Sequence, residues 1–266
     1  MRKTDIVKVE GNKRFVKLSK ESTIEQYTSL DTREMKIMCY LISELQERYC
    51  TALKQENDDD YYYFNGETLP KTTEGICNFE IKASKLKKET MANISIEEMR
   101  IMLMKLKGFT VEKRVKAKSF IYISPLKEVE LIYDEDKKEH IIAVELDNSL
   151  IRELIDLKNN WLVLYCEETK KMTSKYELGL YIAYMAYKGF EKGYKLEIDD
   201  AKEYFKCEKD FETTIFMDKM RKYARTTSNK IKKINGIESE KDLITVESQK
   251  SGRTITHIVI KFINSR

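Results

Sequence analysis

"NFEIKASKL" (Asn78–Leu86) is answered about a hundred residues later by "KLEIDDAKEYF" (Lys195–Phe205). Each runs apolar–Glu–Ile and then turns polar, the pattern of a short strand handing over to a helix. Working outward from the first, the spacing predicts a strand at Phe79–Ile81, a short helix about Ala83–Lys88, a turn through Asn93, and a helix over "SIEEMRIMLMKLK". That helix opens with Ser95 and Glu98 as a capping box and carries Ile96, Met99, Leu103 and Leu106 on one side. "FTVEKRVKAKSFIYISPLKEVELIYDEDKKEHIIAVEL" then reads as successive strands joined by charged turns.

The second copy repeats this order. "SKYELGLYIAYMAYKGF" opens with Ser174 and Glu177 as another capping box. A strand at Lys195–Ile198, a short helix Asp200–Phe205, a turn at Cys207–Lys209 and a long helix from near Asp210 follow. The strands "DLITVES" and "TITHIVIKF" close the chain, hinged at "QKSGR", where Gly252 supplies a positive φ. Strand, helix, turn, helix, hairpin is the order of a winged helix–turn–helix. The expectation is therefore a helix-rich α+β protein of two tandem winged-helix domains, residues 1–150 and 151–266. Upstream, "STIEQYTSL" reads as a short helix. "DTREMKIMCYLISELQERY" reads as a longer one, with Asp31 and Glu34 as its capping box and Met35, Met38, Leu41, Ile42 and Leu45 inward. "QENDDDYYYFNGETLPK" reads as an acidic surface loop.

Composition agrees with a packed fold. Of 266 residues, 41 % are hydrophobic, and only 2 prolines and 9 glycines occur, so no long linker interrupts the chain. No run of eighteen apolar residues occurs, which argues against a membrane span. The basic start lacks an apolar signal core, which points to a cytoplasmic location. Five widely spaced cysteines without a C-x-x-C pair read as reduced thiols. His140 and His257 lie in separate strand-like runs, so no metal site and no cofactor is expected. The net charge of +4 is uneven: residues 1–150 hold 26 Lys/Arg against 27 Asp/Glu, and residues 151–266 hold 23 against 18.

That positive charge concentrates in "KMRKYARTTSNKIKK" (Lys219–Lys233), with seven basic residues and no acidic one. On a helical wheel Phe216, Met220, Tyr223, Thr227, Ile231 and Ile234 form an inward stripe. Arg221, Arg225, Asn229 and Lys232 lie opposite, flanked by Lys222 and Lys233. Arg and Asn suit guanine and adenine edges, whereas Lys suits phosphate. An ordinary solvated helix would intersperse Glu to pair with Lys at i,i+4. This run leaves its cations unpaired, as a helix held against a polyanion would. Lys250 and Arg253 at the hairpin tip would add contacts to a backbone or minor groove. In the first half the basic cluster lies after the equivalent helix, at Lys113, Arg114, Lys116 and Lys118. It is equally compatible with solvation and with phosphate contact.

"YTSLDTREMKIMCYLISEL", "FEIKASKL", "MTSKYELGLYIAYM", "FMDKMRKYARTTSNKI" and "SGRTITHIVIKF" together resemble the iteron-binding, two-winged-helix Rep family of plasmid replication initiators, over most of the chain. The resemblance implies binding of double-stranded DNA at repeated origin sites, opening of an adjacent AT-rich duplex, and recruitment of the host initiator and helicase. It also implies autorepression as a dimer joined through the first module, and it maps major-groove reading onto Arg221, Arg225 and Asn229. "NGIESEKD" lengthens the segment after the long helix relative to the family, which leaves the end of that helix open.

An enzyme is not expected. A rolling-circle initiator needs a His-hydrophobe-His metal site and a P-loop needs G-x-x-x-x-G-K-[ST], and neither occurs; a tyrosine recombinase needs an Arg/His/Arg set, and no convincing one is present. The alternative is a winged-helix transcriptional regulator of plasmid or phage with no replication role. An interaction scaffold with little DNA affinity is a third reading.

Overall fold

The computed structural model describes residues 15–19, 29–57, 76–90, 93–116, 119–147, 161–190 and 192–263. Within these the protein is α+β, with seven helices and small antiparallel sheets. The chain divides into two compact units, Met1–Gln26 with Arg33–Cys166 and Tyr27–Thr32 with Glu167–Arg266; the sequence places the division at residue 150, and residues 148–160 lie outside the described set.

The first unit contains strand β1 (Phe15–Ser19), helix α1 (Thr32–Asn57), strand β2 (Asn78–Lys82), helices α2 (Ala83–Thr90) and α3 (Ile96–Gly108), and strands β3 (Val111–Lys116), β4 (Ser119–Ile123), β5 (Leu126–Asp134), β6 (Glu139–Leu146) and β7 (Trp161–Tyr165). Antiparallel pairing gives a three-stranded sheet β2-β6-β5 and two-stranded pairs β3-β4 and β1-β7. The inward residues expected on α1, from Met35 to Leu45, are all at most 1 % exposed. The helix runs to Asn57, past the end that its hydrophobic pattern suggests. The capping box of α3 forms as read: Ser95 Oγ accepts from the Glu98 N–H and the Glu98 carboxylate accepts from the Ser95 N–H. Met99, Leu103 and Leu106 are buried beneath it. β1 and β7 are not expected from the sequence, because each pairs only with the other across a long stretch of chain. The short helix expected at residues 22–30 and the acidic loop fall largely outside the described residues.

The second unit contains helices α4 (Cys166–Lys171, whose first residue ends the preceding unit) and α5 (Lys175–Tyr187), strand β8 (Tyr194–Glu197), helices α6 (Ile198–Tyr204) and α7 (Thr213–Asn235), and strands β9 (Ile244–Ser251) and β10 (Thr254–Phe262). β10 is the centre of a three-stranded sheet, β8-β10-β9. α5 is buried on nearly every side, as its apolar and aromatic residues after Glu177 require. Phe205 and Phe216, both 0 % exposed, join the α6–α7 corner to the core. His140 and His257 are strand residues in β6 and β10, as expected.

Gly193 shows why this unit needs glycine before β8. Its φ is +71°, and a Cβ there would stand 2.4 Å from the Ile260 carbonyl oxygen. Gly252, at +60°, occupies the first position of the two-residue loop between the paired Ser251 and Thr254.

Candidate nucleic-acid interface

Helix α7 is built around a buried strip and an exposed one. Phe216, Met217, Met220, Ala224, Thr227, Ser228 and Ile231 are buried. Tyr223 and Ile234, expected in the inward stripe, are only half-buried. The helix is therefore rotated toward Met217, Ala224 and Ser228, because small residues at 224 and 228 let it approach its neighbours closely. It packs against α5 and β9. Ser228 Oγ donates to the Ala224 carbonyl (2.8 Å) and accepts from the Ile244 N–H (2.9 Å), tying the helix to the start of β9. That contact was invisible in the sequence, where Ser228 is one polar residue within a polar run.

The same rotation sets the outward face. Arg221, Lys222, Arg225, Asn229 and Lys233 are all exposed. Lys222, Arg225 and Lys233 form no ion pair with any described residue, and Asn229 makes no side-chain hydrogen bond with one. The expectation that the whole run is unpaired needs correction at four cations. Arg221 Nη1 donates to Asp218 Oδ1 at 3.1 Å, one turn back, with both side chains at least half exposed. Lys219 Nζ lies over the Phe211 ring, 4.6 Å from its centroid. Lys232 Nζ donates to the Ser239 and Lys241 carbonyls (3.1 and 3.4 Å), so this side chain is engaged with the loop after the helix. Lys230 is used internally: its Nζ lies 2.8 Å from both oxygens of Glu177, a carboxylate 3 % exposed that also caps α5.

The end of α7 is defined by Gly236, which adopts φ +63°, while the Ile237 N–H closes back on the Lys232 carbonyl at 2.9 Å. Asn229, Lys232 and Lys233 thus all belong to the helix. The strip Lys222–Arg225–Asn229–Lys233 runs along one side at i, i+3, i+7 and i+11. At the β9–β10 tip, Lys250 and Arg253 are exposed and pair with no described carboxylate.

The first unit differs. On α3, Glu97 holds the Arg100 guanidinium through contacts of 2.6–3.1 Å, and Lys105 pairs with the buried Glu34 at 3.3 Å. The exposed face of α3 also carries Ile101 and Met104. Lys113, Arg114 and Lys116 lie in β3, opposite Ile121, Phe120 and Ser119 of β4; Lys118 lies outside the described residues. Among the described residues no helix is long and apolar enough to cross a membrane.

This element order and sheet topology define an α+β fold of packed helices and small antiparallel sheets. The chain shares the fold of the Pi initiator protein, whose crystal structure was determined in complex with iteron DNA: TM-score 0.62 at 13 % identity, covering 96 % of this chain and 99 % of that one. Two crystal structures of domains 2 and 3 of RctB align at TM-score 0.42, with 10 and 11 % identity over 84 and 86 % of this chain and 82 % of theirs. No family model matches the chain, and no curated protein matches it. The sequence resemblance is thus met by a solved initiator structure at the level of fold.

Proposed function

We propose that this protein is a non-enzymatic initiator of plasmid replication that binds double-stranded DNA at repeated origin sites through two tandem winged-helix modules. The observation that carries the reading is the strip Lys222–Arg225–Asn229–Lys233: exposed, free of any described ion-pair partner, and presented on a helix anchored to a buried core. The fold shared with a protein crystallised on iteron DNA supports it.

In the second unit α6 and α7 form the helix–turn–helix and β9–β10 the wing. α7 enters the major groove. Arg225 and Asn229 have the donor geometry for guanine and adenine edges, and Lys222 and Lys233 neutralise phosphates. Lys250 and Arg253 at the wing tip reach the backbone or the minor groove. In the first unit β2, α2, α3 and the following strands repeat the motif, but the paired cations of α3 favour backbone positioning through β3 over base reading. At the origin the protein acts as a monomer on each repeat, opens the neighbouring AT-rich duplex with binding free energy, and recruits the host initiator and helicase. A dimer joined through the first module represses its own promoter. No catalytic group, cofactor or metal enters this scheme, and its place is the bacterial cytoplasm.

The test is selection of binding sites from a randomised duplex library with the purified protein, followed by mobility-shift titrations. The expected product is one short motif, found as tandem copies at the origin. Arg225→Ala should cost about 1–3 kcal/mol and relax preference at one base pair, whereas Lys222→Ala should weaken all sequences alike. Shifts unchanged by both substitutions would refute the assignment of α7. A motif found only as a lone palindrome at a promoter would favour a regulator without a replication role.

A further inference from the structure

Resting on that reading, we propose that Asp218 is a specificity-determining residue. It orients Arg221 for base reading and keeps the start of α7 from binding phosphate indiscriminately.

Asp218 is the only acidic residue of α7. It precedes the exposed strip by one turn: positions 218, 222, 225 and 229 stand at i, i+4, i+7 and i+11 and share one face. Its side chain is 69 % exposed, so the carboxylate projects from the surface that meets DNA. A carboxylate there repels phosphate, and a surface ion pair of this kind adds little to folding stability. Neither fold nor bulk electrostatics therefore accounts for its presence among seven cations.

Its contact with Arg221 does. Asp218 Oδ1 accepts from Arg221 Nη1 at 3.1 Å, so one corner of the guanidinium is held while its remaining donors stay available. An Arg held in this way loses less freedom when it forms the bidentate bond to guanine O6 and N7, and it is partly neutralised as a free phosphate ligand. The surroundings agree. Glu203, Glu208, Asp210 and Glu212 are exposed just before or at the start of α7, whereas no acidic residue follows until Glu238. Asp218 thus marks the edge of the DNA-facing surface, where discrimination between base and phosphate contact matters most.

The test uses the full chain, the duplex enriched by selection and a scrambled duplex of equal composition, with fluorescence anisotropy over a range of salt. Asp218 and Arg221 are both exposed, so Asp218→Ala, Asp218→Asn and Arg221→Ala should all fold. Asp218→Ala should tighten binding to the scrambled duplex and steepen its log–log salt slope by about 0.9, one extra phosphate contact. It should also lower the ratio of selected to scrambled affinity about tenfold, the scale of one base contact. Asp218→Asn should give an intermediate ratio, and in the Arg221→Ala background Asp218→Ala should leave the ratio unchanged. Equal tightening on both duplexes, no change on either, or a drop in ratio that persists without Arg221 would overturn the assignment while leaving the DNA reading intact. A wild-type protein that does not distinguish the two duplexes would overturn both.

Discussion

Lys230→Met separates the cation of α7 that holds the fold together from those that face outward. The Glu177 carboxylate is 3 % exposed and accepts from the Thr173 N–H (2.6 Å), Thr173 Oγ1 (2.9 Å), the Ser174 N–H (3.3 Å) and Lys230 Nζ (2.8 Å). Breaking a buried ion pair from one side costs roughly 3–5 kcal/mol when the remaining charge is left bare. Here three donors remain and the Lys230 side chain is 28 % exposed, so the expected loss is about 2 kcal/mol, the scale of one hydrogen bond to a charged group. Met keeps the aliphatic stem, so packing is little changed. Burial acts to raise the Glu177 pKa, but the bonds from Lys230 and Thr173 outweigh it and hold the carboxyl below its usual range. With the folded value depressed, the stability this group contributes is present above the unfolded pKa of about 4.3 and is lost as pH falls through the folded value. The gap between wild type and Lys230→Met should therefore be full at neutral pH and should narrow below about pH 4. Urea unfolding followed by circular dichroism measures it, with an unchanged m-value expected. Stability within about 0.5 kcal/mol of wild type at pH 7, the usual scatter of a surface substitution, would refute the reasoning. So would a gap that widens in acid. The salt slope of DNA binding should stay as in wild type, because this ammonium is already neutralised.

The other predictions fall on the same unit and its partner. Lys222→Ala should flatten the salt slope by about 0.9 on every duplex, the signature of one lost phosphate contact, in anisotropy titrations. Ser228→Ala leaves the buried Ile244 N–H without its acceptor and should destabilise the protein by about 1–3 kcal/mol in urea. Gly193→Ala should cost more than about 2 kcal/mol, since it combines left-handed backbone strain with a clash against the Ile260 carbonyl, and thermal unfolding reads it directly. Arg100→Ala on α3 removes a cation already held by Glu97 and should leave DNA affinity and salt slope unchanged. A loss comparable to that of Lys222→Ala would show that α3 binds phosphate.

Element order was readable because local rules are strong where they act. Ser95/Glu98 and Ser174/Glu177 sit at capping distance in the chain itself, and both boxes form. The two apolar–Glu–Ile segments became β2 and β8, each passing directly into a helix. Gly252 has the positive φ that a two-residue turn needs. Less was legible where an element depends on a distant partner. β1 is a strand because residues 161–165 lie beside it, and nothing near Phe15 announces that pairing. The wheel placed the outward face of α7 about an eighth of a turn from its observed position. Periodicity identifies which residues could be buried, but the fit of Ala224 and Ser228 against their neighbours selects which ones are.

Charge divides in the same way. That Lys219–Lys233 is basic and amphipathic belongs to the sequence alone, since composition and the 3.6-residue period settle it. Which cations remain available was decided by tertiary structure. Lys230 is drawn to a carboxylate 53 positions away in the chain, Lys232 turns to carbonyls of the following loop, and Lys222, Arg225 and Lys233 are left facing outward. The physical reason is that an ion pair depends on distance in space, and only folding brings Glu177 to Lys230.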